Sequence, residues 1–400
     1  MRGSRMIVAR LGLLAAAALL GACASVPPDA GFSSVEATAR ERLGKDLAWA
    51  RSDDELAAIA RRVETLLARP LSPDDAVQIA LLNHRGLQAR YQDLGITAAE
   101  VLQAGRLANP GFSFGRMTKG DEVELERGLH LNLARWLLAP AISRVEARRL
   151  EQLRREVAMD VLAHAAETRK AWVQAVAAEE GVRYMRQVRE AALASAELAR
   201  RMEQVGNFNK LARAREQGFL ADAALGLARA EAVQRATRER LTRLLGLWGE
   251  QTAFRLPERL PDLPAEPADQ PDIERQAMAQ RLDVQAARLG VEQTARNLGL
   301  TRATRFVDVM ELGLVRNSSN EGPTQRGWEI GLQLPLFDWG EARVARAEAV
   351  YRQAAHRAAR TAIDARSEVR EAYGAYRTAW DIARHHRDEL VPLRRQIADE

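Results

Sequence analysis

Few side chains in this sequence could do chemistry. Among its 400 residues are six histidines and a single cysteine. His84, His130, His164 and His356 are scattered, and His385 and His386 are adjacent, without the spacing and carboxylate partners of a metal site. They read as surface or helix-packing residues. One cysteine, Cys23, excludes an intrachain disulfide framework and any Cys-rich metal site. No glycine-rich phosphate loop of the P-loop type occurs, so the chain is not expected to use ATP. No enzyme constellation is present, and neither a cofactor nor a metal is expected. Function must then reside in the elements and what they build.

Those elements are helical in the main. Ala, Arg, Glu and Leu dominate long stretches, and β-branched and aromatic residues concentrate in two short windows. The formal charge of +5 has a local origin, because Arg2, Arg5 and Arg10 precede an apolar run from Leu11 to Ala22. A basic start, a short greasy core and small residues make a secretory signal, and the core is too short to cross a bilayer as an anchor. Without those three arginines, 56 basic and 54 acidic side chains remain, a net +2. The charge argument for nucleic acid disappears with the signal.

Leu20-Gly21-Ala22-Cys23 resembles the lipobox of bacterial lipoproteins. That resemblance implies cleavage before Cys23 and acylation of the new N-terminus, which would hold the chain at a membrane surface. Ala24 follows, without the Asp that tends to retain enteric lipoproteins at the inner membrane, so the outer membrane is favoured.

Past a tether with Pro27 and Pro28 and short helical pieces up to Leu67, Ser72 is placed to cap a helix with Pro73 in its first turn. This helix is expected to run unbroken to near Asn109-Pro110. From Ala141 to Arg255 there is no proline, and apolar residues recur at helical spacing through Val157, Val161, Ala165 and Trp172. A helix of about 65 residues is roughly 100 Å long and must lie against partners. Val205, Gly206, Asn207, Phe208 and Asn209 supply turn chemistry, after which helical sequence resumes to about Leu245. The segment is a long helical hairpin with its tip near residue 207. Pro257, Pro261, Pro264, Pro267 and Pro271 mark a connector.

After the connector the pattern repeats. Gln88-Ala89 corresponds to Gln285-Ala286, Arg127-Gly128 to Arg326-Gly327, and Trp172 to Tyr373, with separations of 197, 199 and 201. The offset grows in small steps, as in a duplication with short insertions. Each half reads helix, strand, loop, strand, long helix. The strand windows are Phe112 to Met117 with Gly128 to Trp136, and Phe306 to Arg316 with Arg326 to Leu336, joined by polar loops at 118–126 and 317–325. Trp328, Ile330, Leu332 and Leu334 alternate with Glu329, Gly331 and Gln333, giving one apolar and one polar face. Four such strands cannot close a transmembrane barrel alone, so oligomerisation must supply the rest.

Leu71-Ser-Pro-Asp-Asp-Ala-Val-Gln-Ile-Ala-Leu-Leu-Asn83, Ala108-Asn-Pro110, Val205-Gly-Asn-Phe-Asn-Lys-Leu211, Leu244-Leu-Gly246 and Leu334-Pro-Leu-Phe-Asp-Trp-Gly340 together resemble the outer-membrane efflux family of TolC-like proteins, in its lipoprotein subgroup. The resemblance covers roughly residues 70 to 400. It implies a mainly α fold: a periplasmic α-barrel of long antiparallel helical hairpins, and two β-hairpins giving four strands to a trimeric barrel in the outer membrane. It also implies a homotrimer that docks a periplasmic adaptor protein and an inner-membrane pump, with the tip Val205–Asn209 meeting the adaptor. The chain would be a passive exit duct of a tripartite efflux system for small molecules or metal ions. Alternatives are a type I protein secretion duct and a periplasmic adaptor, which would carry one hairpin flanked by Gly- and Val-rich β-domain halves.

The divisions expected are 1–22 signal peptide, 23–70 lipid-anchored tether and short helices, 71–246 first repeat, 247–271 connector, and 272–400 second repeat. Two departures from the family pattern stand out. Arg305-Phe306-Val307 replaces a proline-marked strand entry in the second half. Adding the repeat separation to Gly206 puts the second tip beyond Glu400, so the second hairpin is expected to lack its last helix.

Overall fold

The computed structural model describes residues 29–306, 310–333 and 336–400. The signal segment and Cys23 lie outside them. Among the described residues the chain forms α1 (Phe32–Leu43), α2 (Asp53–Leu67), α3 (Pro73–Asn83), α4 (Arg85–Gly105), β1 (Gly111–Lys119), β2 (Glu122–Asn132), α5 (Leu133–Gln204) and α6 (Lys210–Leu245). A 3₁₀ turn at Gly249–Ala253 interrupts the proline-rich connector. Then come α7 (Ile273–Gln280), α8 (Leu282–Thr304), β3 (Met310–Ser319), β4 (Gln325–Leu332), α9 (Glu341–His385), a π-turn at His386–Leu390 and α10 (Val391–Asp399). Two compact units are woven from alternating stretches. One comprises the described residues up to Phe32 with Gln92–Glu156 and Asp272–Arg370, the other Ser33–Tyr91, Val157–Pro271 and Glu371–Glu400.

The first unit contains an antiparallel sheet of order β1-β2-β3-β4, so the two hairpins pair through β2 and β3. Asn320 fastens their turns together. Its Oδ1 accepts from the Val123 N–H at 2.7 Å, and its Nδ2 donates to the Asp121 carbonyl at 2.8 Å. The polar loop expected at 118–126 is shorter than its charges suggested. Gly120-Asp121 alone make the turn, with Gly120 at φ +60°, and Glu122, Glu124 and Glu126 continue into β2. A two-residue hairpin needs that left-handed backbone, and charged side chains are no obstacle to a strand whose alternate positions face water.

The other strand ends also move. β2 stops at Asn132, not Trp136, because the Asn132 Oδ1 accepts from the Arg135 N–H at 2.8 Å and starts the helix there. The helix that follows, α5, is therefore 72 residues long, about 108 Å by helical rise, with Pro140 inside it. β3 is described from Met310, with 307–309 outside the described residues.

The second unit is helical around a core of Val63, Leu71, Ile79, Trp172, Val176, Leu241 and Leu245. Ser72 caps α3 as its sequence predicts, accepting from the Asp75 N–H at 3.0 Å, with Pro73 at the first position. The single helix expected from Ser72 to Asn109 is two. His84 adopts an extended conformation (φ −68°, ψ 115°) that ends α3, and α4 restarts at Arg85. Asn83, beside the break, donates through Nδ2 to the Leu245 and Gly246 carbonyls at 3.1 and 2.7 Å, tying α3 to the end of α6. Gly246 sits at φ +67° with its Cα against the Asn83 carbonyl, where a side chain would not fit.

The connector is laid on the long helices. The Leu260 N–H donates to Glu180 at 3.0 Å, while the Trp380 Nε1 donates to the Pro264 carbonyl and the Tyr373 hydroxyl to Asp269, both at 3.0 Å. On the first hairpin, Arg240 pairs with Glu167 at 2.9 Å and Ser195 donates to Glu216 at 2.7 Å, which sets α5 and α6 antiparallel.

Candidate functional site

Residues paired directly across an antiparallel ladder share a face, so the register sorts the sheet without ambiguity. One face carries Phe112, Leu129, Leu314 and Trp328 in a single row across the four strands. Leu131, Leu312 and Ile330 form the next row toward the helices, then Met310 and Leu332. Among the described residues these large apolar side chains are exposed or half-buried: Phe112 is 71% exposed and Trp328 69%.

The opposite face is mostly polar and small, with Met117 and Val315 its larger apolar side chains. All six glycines of the strands, at 111, 115, 128, 313, 327 and 331, lie on it, together with Glu122, Glu124, Glu126, Glu311 and Glu329. His130 and Glu329 lie across it, the His130 Nε2 at 2.9 Å from the Ser113 hydroxyl and Nδ1 at 3.4 Å from the Glu329 carboxylate. This needs glycine beneath: a Cβ on Gly128 would overlap Ser113 and His130, and one on Gly313 would overlap Glu329. Small residues permit a face to curve inward, and the carboxylates give this face negative charge.

At the helix end of the sheet, aromatic and apolar side chains collect. Trp136, Leu137, Phe306, Leu336, Phe337 and Trp339 are all exposed, and Phe306 and Trp339 meet edge to face at 6.2 Å. An exposed apolar sheet face bordered by aromatics is the pattern of strands in lipid. No helix among the described residues is long and apolar enough to cross a membrane.

The second candidate is the α5–α6 turn. Gly206, at φ +81°, closes α5: its N–H donates to the Glu203 carbonyl and that of Asn207 to the Met202 carbonyl, both at 2.9 Å. Asn209 opens α6, its Oδ1 accepting from the Ala212 N–H at 2.8 Å. Arg213 and Glu203 pair across the turn at 3.0 Å. Both caps are satisfied within the turn, and the side chains of Val205, 71% exposed, and Asn207 face solvent.

Two histidines read as scattered are neighbours. His84 and His164 have ring centroids 4.2 Å apart, and the His164 Nε2 donates to the Leu244 carbonyl at 2.9 Å. Burial, reinforced by the charge His84 would carry and opposed by the Leu244 bond, pushes His164 down to about 4. His84 is lowered too, by burial. Among the described residues no group of three or more His, Cys, Asp or Glu side chains converges as a metal site. Sequence reasoning missed this pair because its members are far apart in the chain. It read 118–126 as a loop and so missed the sorting of charge by face in β2, although the alternation Glu122-Val123-Glu124-Leu125-Glu126 carries that signal.

Residues 274–398 match the family model described as outer membrane efflux protein. No curated protein matches the chain by sequence. Among solved structures, the chain is similar to the CmeC outer membrane channel of Campylobacter jejuni, with a TM-score of 0.60 at 17% identity over 86% of this chain and 80% of that one. It is similar to the outer membrane protein VceC of Vibrio cholerae, with 0.58 at 15% identity over 80% and 79%. It is also similar to a membrane protein from Pseudomonas aeruginosa, with 0.58 at 18% identity over 75% and 74%. The match to the outer membrane efflux protein family model thus covers residues 274–398, and the likeness to the TolC-like channels, a mainly helical fold, covers most of the chain.

Proposed function

We propose that this protein is one subunit of a passive outer-membrane exit duct, a homotrimer through which a tripartite efflux system expels small molecules or metal ions. The observation that carries the reading is the two-faced sheet. Its apolar face suits lipid and its polar, glycine-rich face suits a water-filled lumen. Four strands leave open edges at β1 and β4, which lipid does not tolerate, and three copies would supply twelve strands for a closed barrel. The long helices then extend into the periplasm, where the turn Val205–Asn209 meets a periplasmic adaptor coupled to an inner-membrane pump. Cys23 carries the lipid that tethers the mature chain to the outer membrane. The duct performs no catalysis, and its driving energy comes from the pump. The two sequence halves, 71–246 and 272–400, are copies of one ancestral unit. A periplasmic adaptor fits less well, because such a protein has no use for a sheet with an exposed apolar face.

Expression in a Gram-negative host tests this directly. The protein should fractionate with the outer membrane as a trimer that dissociates on heating, and deletion of its gene should raise the accumulation of a subset of metal ions, dyes or antibiotics. A monomeric mature protein in the soluble periplasmic fraction would refute it.

A further inference from the structure

The rows of large apolar side chains end at an arginine row, beyond which the same face carries only Leu125 and Val123 of β2 as apolar side chains. Arg127, Arg316 and Arg326 are paired directly across β2, β3 and β4, with Phe114 completing the row on β1. Arg116 follows one row nearer the turns. Like charges at directly opposed positions destabilise a sheet, and here three guanidiniums stand side by side. No carboxylate of the strands is available to offset them, because all five lie on the other face. Arg316 and Arg326 are exposed, and among the described residues none of the three forms an ion pair. The contact Arg127 does make is a long one, 3.4 Å from Nη1 to the Ser318 hydroxyl.

The position of the row identifies what should neutralise it. It lies two residues, roughly 7 Å, from the row of Phe112, Leu129, Leu314 and Trp328, on the side of the hairpin turns. Both turns lie at the end of the sheet away from α4, α5, α8 and α9, since each hairpin is entered from one of these helices and left through another. With the helices in the periplasm, the row sits at the headgroup level of the outer leaflet. We infer that Arg127, Arg316 and Arg326 bind the phosphate groups of anionic lipid in that leaflet. Guanidinium is suited to this task, since its planar donors grip phosphate oxygens in pairs. In a trimer the row becomes a belt of nine arginines just above the apolar band, and lipid phosphates relieve the repulsion that the fold leaves uncompensated.

This inference rests on the membrane-spanning reading of the sheet, and the test separates the two. The full chain is extracted in mild detergent from outer membranes, and phosphorylated lipid bound per protomer is measured by native mass spectrometry and phosphorus assay. The same measurement follows after delipidation and reloading with lipid A, a phosphorylated glycolipid, or with zwitterionic phosphatidylcholine. Wild type should retain lipid A over phosphatidylcholine. The triple variant R127Q/R316Q/R326Q should lose bound phosphorylated lipid several-fold while remaining a trimer in the outer membrane, and R127K/R316K/R326K should keep at least half. Unchanged retention in the glutamine variant, or equal retention of both lipids by wild type, overturns the inference. If the triple variant fails to insert, R326Q alone should reduce binding about two-fold, and no reduction there overturns it equally. A wild-type protein absent from the outer membrane would instead overturn the duct itself, and this inference with it.

Discussion

Gln88 and Gln285, separated by 197 positions, make the same hydrogen bond: each donates its Nε2 to the carbonyl six residues back, Leu82 and Ala279, across a break between two helices. The residues at those breaks, His84 and Arg281, are extended and stand at the same separation. The two differ in load. Gln88 is buried, and its side chain also accepts from the Ala50 N–H at 3.0 Å and donates to the Ala48 carbonyl at 2.7 Å. Gln88→Ala therefore leaves several buried backbone groups unsatisfied and should cost about 2–4 kcal/mol. Gln285→Ala should cost no more than about 1 kcal/mol. Denaturant unfolding of the two variants, followed by circular dichroism, checks the ranking; equal losses would contradict it.

Much of this architecture could be read from the residues. The cap at Ser72, the turn at Val205–Asn209 and the alternation in β4 all announce themselves, because each depends on chemistry within a few positions. The break at His84 did not, since neither glycine nor proline occupies it and its cause is distant. Asn83 is held by carbonyls at the end of α6, and Gln88 by the segment Ala48–Ala50. The same holds for the faces of the sheet. Alternation within β2 is visible in sequence, but the arginine row exists only through the register that aligns Arg127 with Arg316 and Arg326. Long-range pairing and partner-dependent breaks are what local pattern omits.

The two faces predict opposite responses to charge. Leu314 lies in the central apolar row, and Asn317, three residues on in the same strand, lies on the polar face. Leu314→Lys should cost about 2–4 kcal/mol if that row is in lipid, enough to deplete heat-resistant trimers from the outer membrane. Asn317→Lys should leave assembly intact and alter only ion preference in planar-bilayer conductance. Equal tolerance of both substitutions would show that the faces are misassigned.

The His84–His164 pair predicts acid sensitivity. Burial holds His164 at about 4, below the roughly 6.5 expected when unfolded. The unfolded chain therefore takes up the proton first as pH falls. Stability is complete above about pH 6.5 and is lost as pH falls toward 4. Because the ring is partly solvated, the loss is about 1–2 kcal/mol, less than the whole shift implies. His84 adds in the same direction. Thermal melts between pH 7 and 5, a window above most carboxylate titration, should show a falling Tm that flattens in His164→Gln. A wild-type Tm independent of pH over that range would remove the argument.

At the α5–α6 turn, structure and docking can be separated by substitution. A Cβ added at Gly206 would meet nothing within 4 Å, so the cost of replacing it is backbone strain from φ +81° alone. Asn tolerates that conformation and β-branched residues do not, so Gly206→Asn should cost under about 1 kcal/mol and Gly206→Val about 1–2 kcal/mol or more. Val205 is exposed and caps nothing with its side chain, so Val205→Asp should change stability by less than about 0.5 kcal/mol. If the turn docks an adaptor, Val205→Asp nonetheless places an unpaired charge in an apolar end-to-end contact, and cells carrying it should accumulate efflux cargo like the deletion strain. Gly206→Asn should retain export. Full export by Val205→Asp, with normal trimer levels, would move the docking surface elsewhere on the hairpins.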